Sequence, residues 1–464
     1  MRLAPEEWLV PYVPSPDDPF DRRKAAHLLR RAGFGASLPE VDAAVRDGCE
    51  ATLRRLLQPP EDGTARFEAL LAQLDGELLD LSKEEDLQAW WIYRMLHAPD
   101  PLREKVTLFW HGHFATSLRK VERAALMRQQ NETLRRKGMG PFRDLLQAVS
   151  RDPAMLIWLD NRNNRKGKPN ENYAREVMEL FTLGVGNYGE QDIKEAARAF
   201  TGWHLRNDQF FFDQGQHDAG DKTVLGTSGK LGGEEVIDIL LRQPACARFL
   251  ADKLFRFFVA PVAPAGVLDL LAERLRQGGY QIDTLLGLLL RSRLFFAASS
   301  WRARIKSPVE FVLGIAKALE LRSDCRAIAR ALTNLGQSLF APPTVKGWDG
   351  ERAWISAQWI VARANTAMNA TALRGGPAES RFAPRSLLER AGTKAAPAEL
   401  VQLVADLLLD GALPAAAQPA LLRYVTHNDG NKELKWNPKD DGLVDNKLRG
   451  LCHLVMALSE FQLV

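Results

Sequence analysis

Cysteine is scarce in this chain. Cys49, Cys246, Cys325 and Cys452 are the four in 464 residues, and none stands at CxxC spacing. That pattern excludes a disulfide scaffold and a cysteine-built zinc module, so the four read as free, mostly buried thiols. No run approaches the roughly eighteen uninterrupted apolar residues of a membrane-spanning helix, so no membrane span is expected. A Walker loop, a Rossmann fingerprint, a nucleophile elbow and an HExxH motif are all missing. Nucleotide-driven and serine-hydrolase mechanisms therefore lack support. The formal net charge of +4 does not mark a nucleic-acid partner, and none is expected. Where a signal peptide would be apolar, the N-terminus carries Glu6, Glu7 and prolines. As written, the sequence is expected to be cytoplasmic.

What is present is helical periodicity, almost throughout. Composition is ordinary for a globular protein, and the length is enough for a large core. Patterns over 22–32, 38–58, 63–80, 84–98, 102–114, 121–137 and 141–150 repeat at helical spacing, and helices resume from 234. Ser307-Pro308-Val309-Glu310 is a capping box with Pro at the first helical position. Two short apolar stretches, 209–213 and 222–226, flank QGQHDAGD and read as a small β-hairpin. The expected fold is mainly α, a large multi-helix domain with a β-hairpin insertion near 209–226. Residues 1–20 read as an irregular N-terminal segment and 21–373 as the main domain. Residues 374–395 read as a linker or surface loop, and 396–464 as a C-terminal helical segment.

The most informative stretch is 170–203, NENYAREVMELFTLGVGNYGEQDIKEAARAFTGW, which reads as helix, Gly-rich turn, helix. At about 100° per residue, Ala174, Val177, Met178 and Phe181 form an apolar stripe. Glu176 falls on the edge of that arc, between Tyr173 and Leu183, while Glu179 lies on the polar side with Asn172 and Arg175. A carboxylate leaving water needs a partner or a proton. The helix over 102–114 supplies a candidate, since Leu102, Val106, Phe109, Trp110 and His113 share one face. His111 points away with Glu104 and Thr107 and reads as a surface histidine.

Two polar side chains on apolar faces, His113 and Glu176, suggest either a metal or acid/base site or a buried structural hydrogen bond. His217, in the predicted hairpin loop, would complete a ligand set suited to a divalent zinc, manganese or iron ion. Asp218, Tyr173 and Arg175 complete the candidate catalytic group, although Asp218 also suits a turn cap and Arg175 a helical charge ladder. Arg162, Arg165, Lys166 and Lys168 precede the central helix and offer either an anion site or a solvated loop. Trp348 and Trp354, with Trp359, offer a stacking surface or a core closure. The leading expectation is an enzyme with a helix-lined metal or acid/base site, acting on a small molecule or an anionic polymer. The alternative is a non-catalytic protein that binds an anionic ligand or partner through its basic and Trp-rich loops.

Taken in order, HLLRRAGFG, FWHGHF, the 170–203 stretch, HDAGDKTVLG, KSPVEFV and PPTVKGWDGERAWI resemble a bacterial family known as domain of unknown function 1800, over 27–365. The resemblance implies no particular chemistry. Relatives often look exported and are often encoded beside a sulfatase-like family. The resemblance thus implies a sulfatase-like partner protein, and an export that this N-terminus does not show.

Overall fold

A computed structural model describes residues 3–372, 382–392, 396–428, 430 and 432–464. Helices dominate it, and the strands among the described residues form two small antiparallel pairs. The predicted pattern over 38–58 divides into Leu38–Asp47 and Cys49–Leu57. Gly48 sits between them at φ 82°, in the region glycine tolerates best. The capping box forms as expected: Glu310 N donates to Ser307 Oγ, and Ser307 N donates to Glu310 Oε2. All four cysteines are free and buried. Among the described residues, no helix is long and apolar enough to cross a membrane.

The β region departs from expectation. Residues 209–213 and 222–226 do not pair with each other. Gln209–Phe212 pairs instead with Trp203–Arg206, and Lys222–Val224 with Thr227–Gly229. Each strand has a partner reachable by a turn of two residues, which closes a shorter loop than the eight-residue connection. His217 therefore lies on the link between two hairpins, not in the loop of one.

Two buried apolar clusters hold the fold. One gathers Trp110, Phe114, Phe142, Tyr173, Phe181 and Phe200. The other gathers Trp90, Trp91, Phe311 and Leu313 with Leu400, Val404, Leu448 and Leu451 from the C-terminal residues. The chain end is fastened as well, since Val464 exchanges backbone hydrogen bonds with Arg304 at 2.8 and 3.1 Å. The C-terminal helices thus share a core with the main body rather than hanging from it. Most of the expected linker lies outside the described residues. Within it, Arg385–Ala391 is a helix whose Leu387 and Leu388 are buried.

The Pro101–His113 helix runs between the two clusters and is buried on nearly every side. That overturns the surface reading of His111, whose Nε2 accepts the Phe340 backbone N–H at 3.1 Å. Its ring is enclosed by Trp91, Phe340 and Trp348. Burial pushes this imidazole down to about 3, so it stays neutral. Glu104, predicted to face out with it, is also buried, against Arg94 and Arg135.

Asp152 caps the Pro153–Trp158 helix, accepting from Met155 N and Gln130 Nε2. Burial pushes its carboxyl up to about 7 from 3.8. Between those values the folded state binds more protons than the unfolded chain, so this contribution to stability is lost as pH rises through the window. Asp152→Asn keeps both accepted hydrogen bonds and removes the buried charge. We expect the variant to be more stable than the parent by about 1–3 kcal/mol at mildly alkaline pH. The advantage should disappear in acid, below the unfolded value. Urea unfolding at both pH values checks this, and an advantage that does not depend on pH would count against it.

Candidate functional site

Four segments, with Gln337 from a fifth, converge on one cleft of about 270 Å³. They are the end of the Pro101–His113 helix, the Pro244–Phe258 helix, the 304–307 segment and the Pro/Gly/Trp-rich loop before residue 356. The loop is seated by Gly347, at φ 84°, where a Cβ would come within 2.6 Å of the Gly112 carbonyl oxygen. That close approach sets Trp348 over the His111 ring, with centroids 5.7 Å apart. Trp348 and Trp354 both line the cleft, together with Phe257, His113, Lys253 and Arg304. Trp354 is only 7 % exposed, and its carbonyl accepts from Arg363 Nε. It is wall and core at once. Trp359 lies apart and packs on Gly336.

His113 is 4 % exposed. Its Nε2 lies 3.1 Å from the Phe181 carbonyl oxygen. A carbonyl only accepts, so Nε2 carries the proton and Nδ1 is left as an acceptor. Lys253 Nζ donates to Nδ1 at 3.2 Å and to the Leu180 carbonyl at 3.4 Å. Burial, with the Lys253 charge adding to it, holds the imidazole well below its usual range. Burial likewise pushes Lys253 down to about 8, with Asp252 opposing. The two carbonyls come from an unusual turn. The helix that starts as Glu171–Glu176 continues as a π-helix over Val177–Thr182, and π-turns redirect backbone groups locally.

Glu176 does not meet His113. It is half-buried outside the cleft, and no hydrogen bond joins the two among the described residues. Burial and then the Glu179 charge raise its carboxyl, against the pull of Arg175. His113 finds the backbone of the same helix further along, at Phe181. Tyr173 is core: its Oη donates to Ser150 Oγ, and its ring meets Phe200 edge-on. Arg175 pairs with Glu190 at 2.8 Å and with Glu171 at 3.4 Å.

The link between the hairpins is a built corner. His217 Nδ1 donates to the Thr201 carbonyl at 2.9 Å. Asp218 accepts from Arg198 Nε at 2.8 Å and from Gly220 N at 2.9 Å. The Arg198 hydrogen bond, opposed by burial, lowers this carboxyl to about 2. Lys222 Nζ donates to the Asp218 and Gly220 carbonyls rather than to the carboxylate. Neither His217 nor Asp218 lines the cleft. Among the described residues, no group of three or more His, Cys, Asp and Glu side chains is placed to hold a metal ion.

Arg162, Arg165, Lys166 and Lys168 are exposed. Their loop is fixed by its backbone, with the Arg162 carbonyl accepting from His204 and Lys166 N donating to Gln216. It lies away from the cleft lining. Of the residues singled out in the sequence, the structure brings together His113, Trp348 and Trp354. Lys253 was missed. Its signal was a lysine at i,i+4 spacing between Phe249 and Phe257 on an apolar helix face.

This chain belongs to the family described as a protein of unknown function (DUF1800), whose model matches residues 27–463. The match runs well past residue 365 and takes in the C-terminal helices that complete the second cluster. No curated protein and no solved structure matches it.

Proposed function

We propose that this protein is an acid/base enzyme acting on a small molecule held in the cleft. Lys253 would be the proton-transferring group, and His113 the residue that positions it. The observation that carries this reading is the contact of 3.2 Å between Lys253 Nζ and His113 Nδ1 at the cleft wall. An amine desolvated to about 8 is on the order of one-tenth neutral at neutral pH, enough for a working general base. In its neutral form the amine has two N–H groups, and two acceptors await them, His113 Nδ1 and the Leu180 carbonyl. The lone pair is then left for a substrate proton. The tryptophan walls supply flat apolar surface for a ring-bearing ligand. A divalent zinc, manganese or iron ion is not favoured by this geometry. Both His113 nitrogens are engaged, and Glu176 and His217 serve other contacts.

The test is a titration of Lys253 after reductive methylation with labelled formaldehyde, followed by carbon NMR, with Lys253→Met identifying the signal. The expected midpoint is near 8, against 10.5 for an ordinary lysine. A midpoint at the ordinary value would overturn the reading. A panel of small acids and sugars that quench tryptophan fluorescence saturably, with no member turned over, would make this a binding protein instead.

A further inference from the structure

Behind the cleft wall, positive charge exceeds negative. Glu310 is buried, and its Oε1 accepts from Lys105 Nζ at 2.7 Å and from Arg304 Nη1 at 3.2 Å. Its Oε2 is taken by Ser307 N at 2.9 Å. Arg304 is 6 % exposed, and its Nε has no hydrogen-bond partner. The nearest other carboxylate oxygen, on Glu351, stands 3.9 Å from that Nε, beyond hydrogen-bond reach. Arg31 is fully buried close by. Its Nη2 donates to the Ser300 carbonyl, while Nε and Nη1 are unpartnered. Burial and then the Arg304 charge hold the Arg31 guanidinium well below its ordinary range. Three buried cations thus share one buried carboxylate, and the part-exposed Glu351, which also lines the cleft, is the further counter-charge near Arg304. Leaving such charge uncompensated costs several kcal/mol, so folds of this kind gain from an arriving anion. On the cleft side, Lys346 is exposed and forms no ion pair among the described residues.

We infer that the cleft contains an oxyanion subsite, in which Arg304 and Lys346 receive a carboxylate, sulfate or phosphate-ester group of the ligand while its ring lies against Trp348 and Trp354. The inference rests on the cleft being the ligand site of the proposed function and adds the chemical class of that ligand. A guanidinium fork matches an oxyanion in shape as well as charge, and Lys346 adds a mobile point charge at the rim. Lys253 then stands beside a substrate whose acid group is already neutralised, so approach of the substrate does not push the amine toward its charged form.

The experiment titrates the full-length protein, labelled with nitrogen-15 tryptophan, with inorganic phosphate, sulfate and acetate at constant ionic strength. The indole N–H signals of Trp348 and Trp354, assigned by Trp→Phe variants, are the readout. Saturable shifts of these signals are expected, and the tightest of the three anions names the class. Arg304→Gln and the exposed-site variant Lys346→Ala should each weaken binding about tenfold or more. Lys168→Ala, on the exposed basic loop away from the cleft, should leave binding in place, and the Lys253 titration, which needs no anion, tests the assignment of the base separately. Absence of saturable shifts for all three anions would overturn the subsite. So would shifts that persist unchanged in both Arg304→Gln and Lys346→Ala, which would mean an adventitious ion only. If Arg304→Gln fails to fold, Lys346→Ala alone decides.

Discussion

Glu104→Gln should cost about 3–5 kcal/mol of stability, the range for breaking a buried ion pair by removing one member. Glu104 is 1 % exposed. Its Oε1 accepts from Arg94 Nε at 3.1 Å and Arg135 Nε at 2.7 Å. Its Oε2 accepts from Trp91 Nε1 and Arg135 Nη2, both at 3.0 Å. Four donors point at one carboxylate, so an amide in its place turns its own N–H groups against them. Arg94 keeps Glu68 and Arg135 keeps Glu132, both partly exposed, as remaining counter-charges. The two guanidiniums, prevailing over burial, hold this carboxyl below its usual value. Its contribution is therefore present above the unfolded value and is lost as pH falls through the folded one. Urea unfolding at neutral pH gives the measurement, and repeating it in acid should narrow the gap between parent and variant. A loss under about 1 kcal/mol at neutral pH would show that the network is not holding the helix in place.

Glu310→Gln should have an effect of similar size, about 3–5 kcal/mol, but for a different reason. Here one carboxylate closes a helix cap and is the hydrogen-bonded counter-charge of Lys105 and Arg304. The substitution leaves Lys105, which is fully buried and already held down to about 8, without its carboxylate. A second substitution, Lys105→Met, should then restore more than about 1 kcal/mol, because it removes the stranded charge and fills the space with apolar volume. Additive losses in the double variant would show that the pair is not coupled. In the single variant, stability should rise with pH above the folded value of Lys105, since the unfolded chain then binds more protons.

Helical spacing carried most of the fold because the core-facing residues repeat at 3.6 almost everywhere, and the Ser307–Glu310 cap formed where the residue types demand it. A one-dimensional pattern shows which face of a helix is apolar, but not how many neighbours will cover the helix. His111 and Glu104 sat on what read as a polar face, yet that face is enclosed by Trp91, Phe340 and two arginines. Strand partners were illegible for a related reason. The apolar runs at 209–213 and 222–226 mark strands, but the short turns at Asn207–Asp208 and Leu225–Gly226 decide who pairs with whom. Within the candidate site, His113 and the two tryptophans were visible as polar or aromatic residues out of place. Lys253 was not, because a lysine between two phenylalanines at helical spacing ordinarily reads as an apolar stem with its charge in solvent.

The π-turn at Val177–Thr182 ties the cleft to the length of the chain, not only to its composition. Such a turn holds one residue more than the α-helical turn it replaces, and every residue beyond it is rotated by about 100° relative to a regular helix. The carbonyls of Leu180 and Phe181, which hold Lys253 and His113, owe their direction to that extra residue. Their own side chains can be exchanged for others of similar bulk without moving those oxygens. Deleting a single residue between 177 and 182 would swing both away together. Indel tolerance, rather than substitution tolerance, is therefore the property by which this segment is constrained.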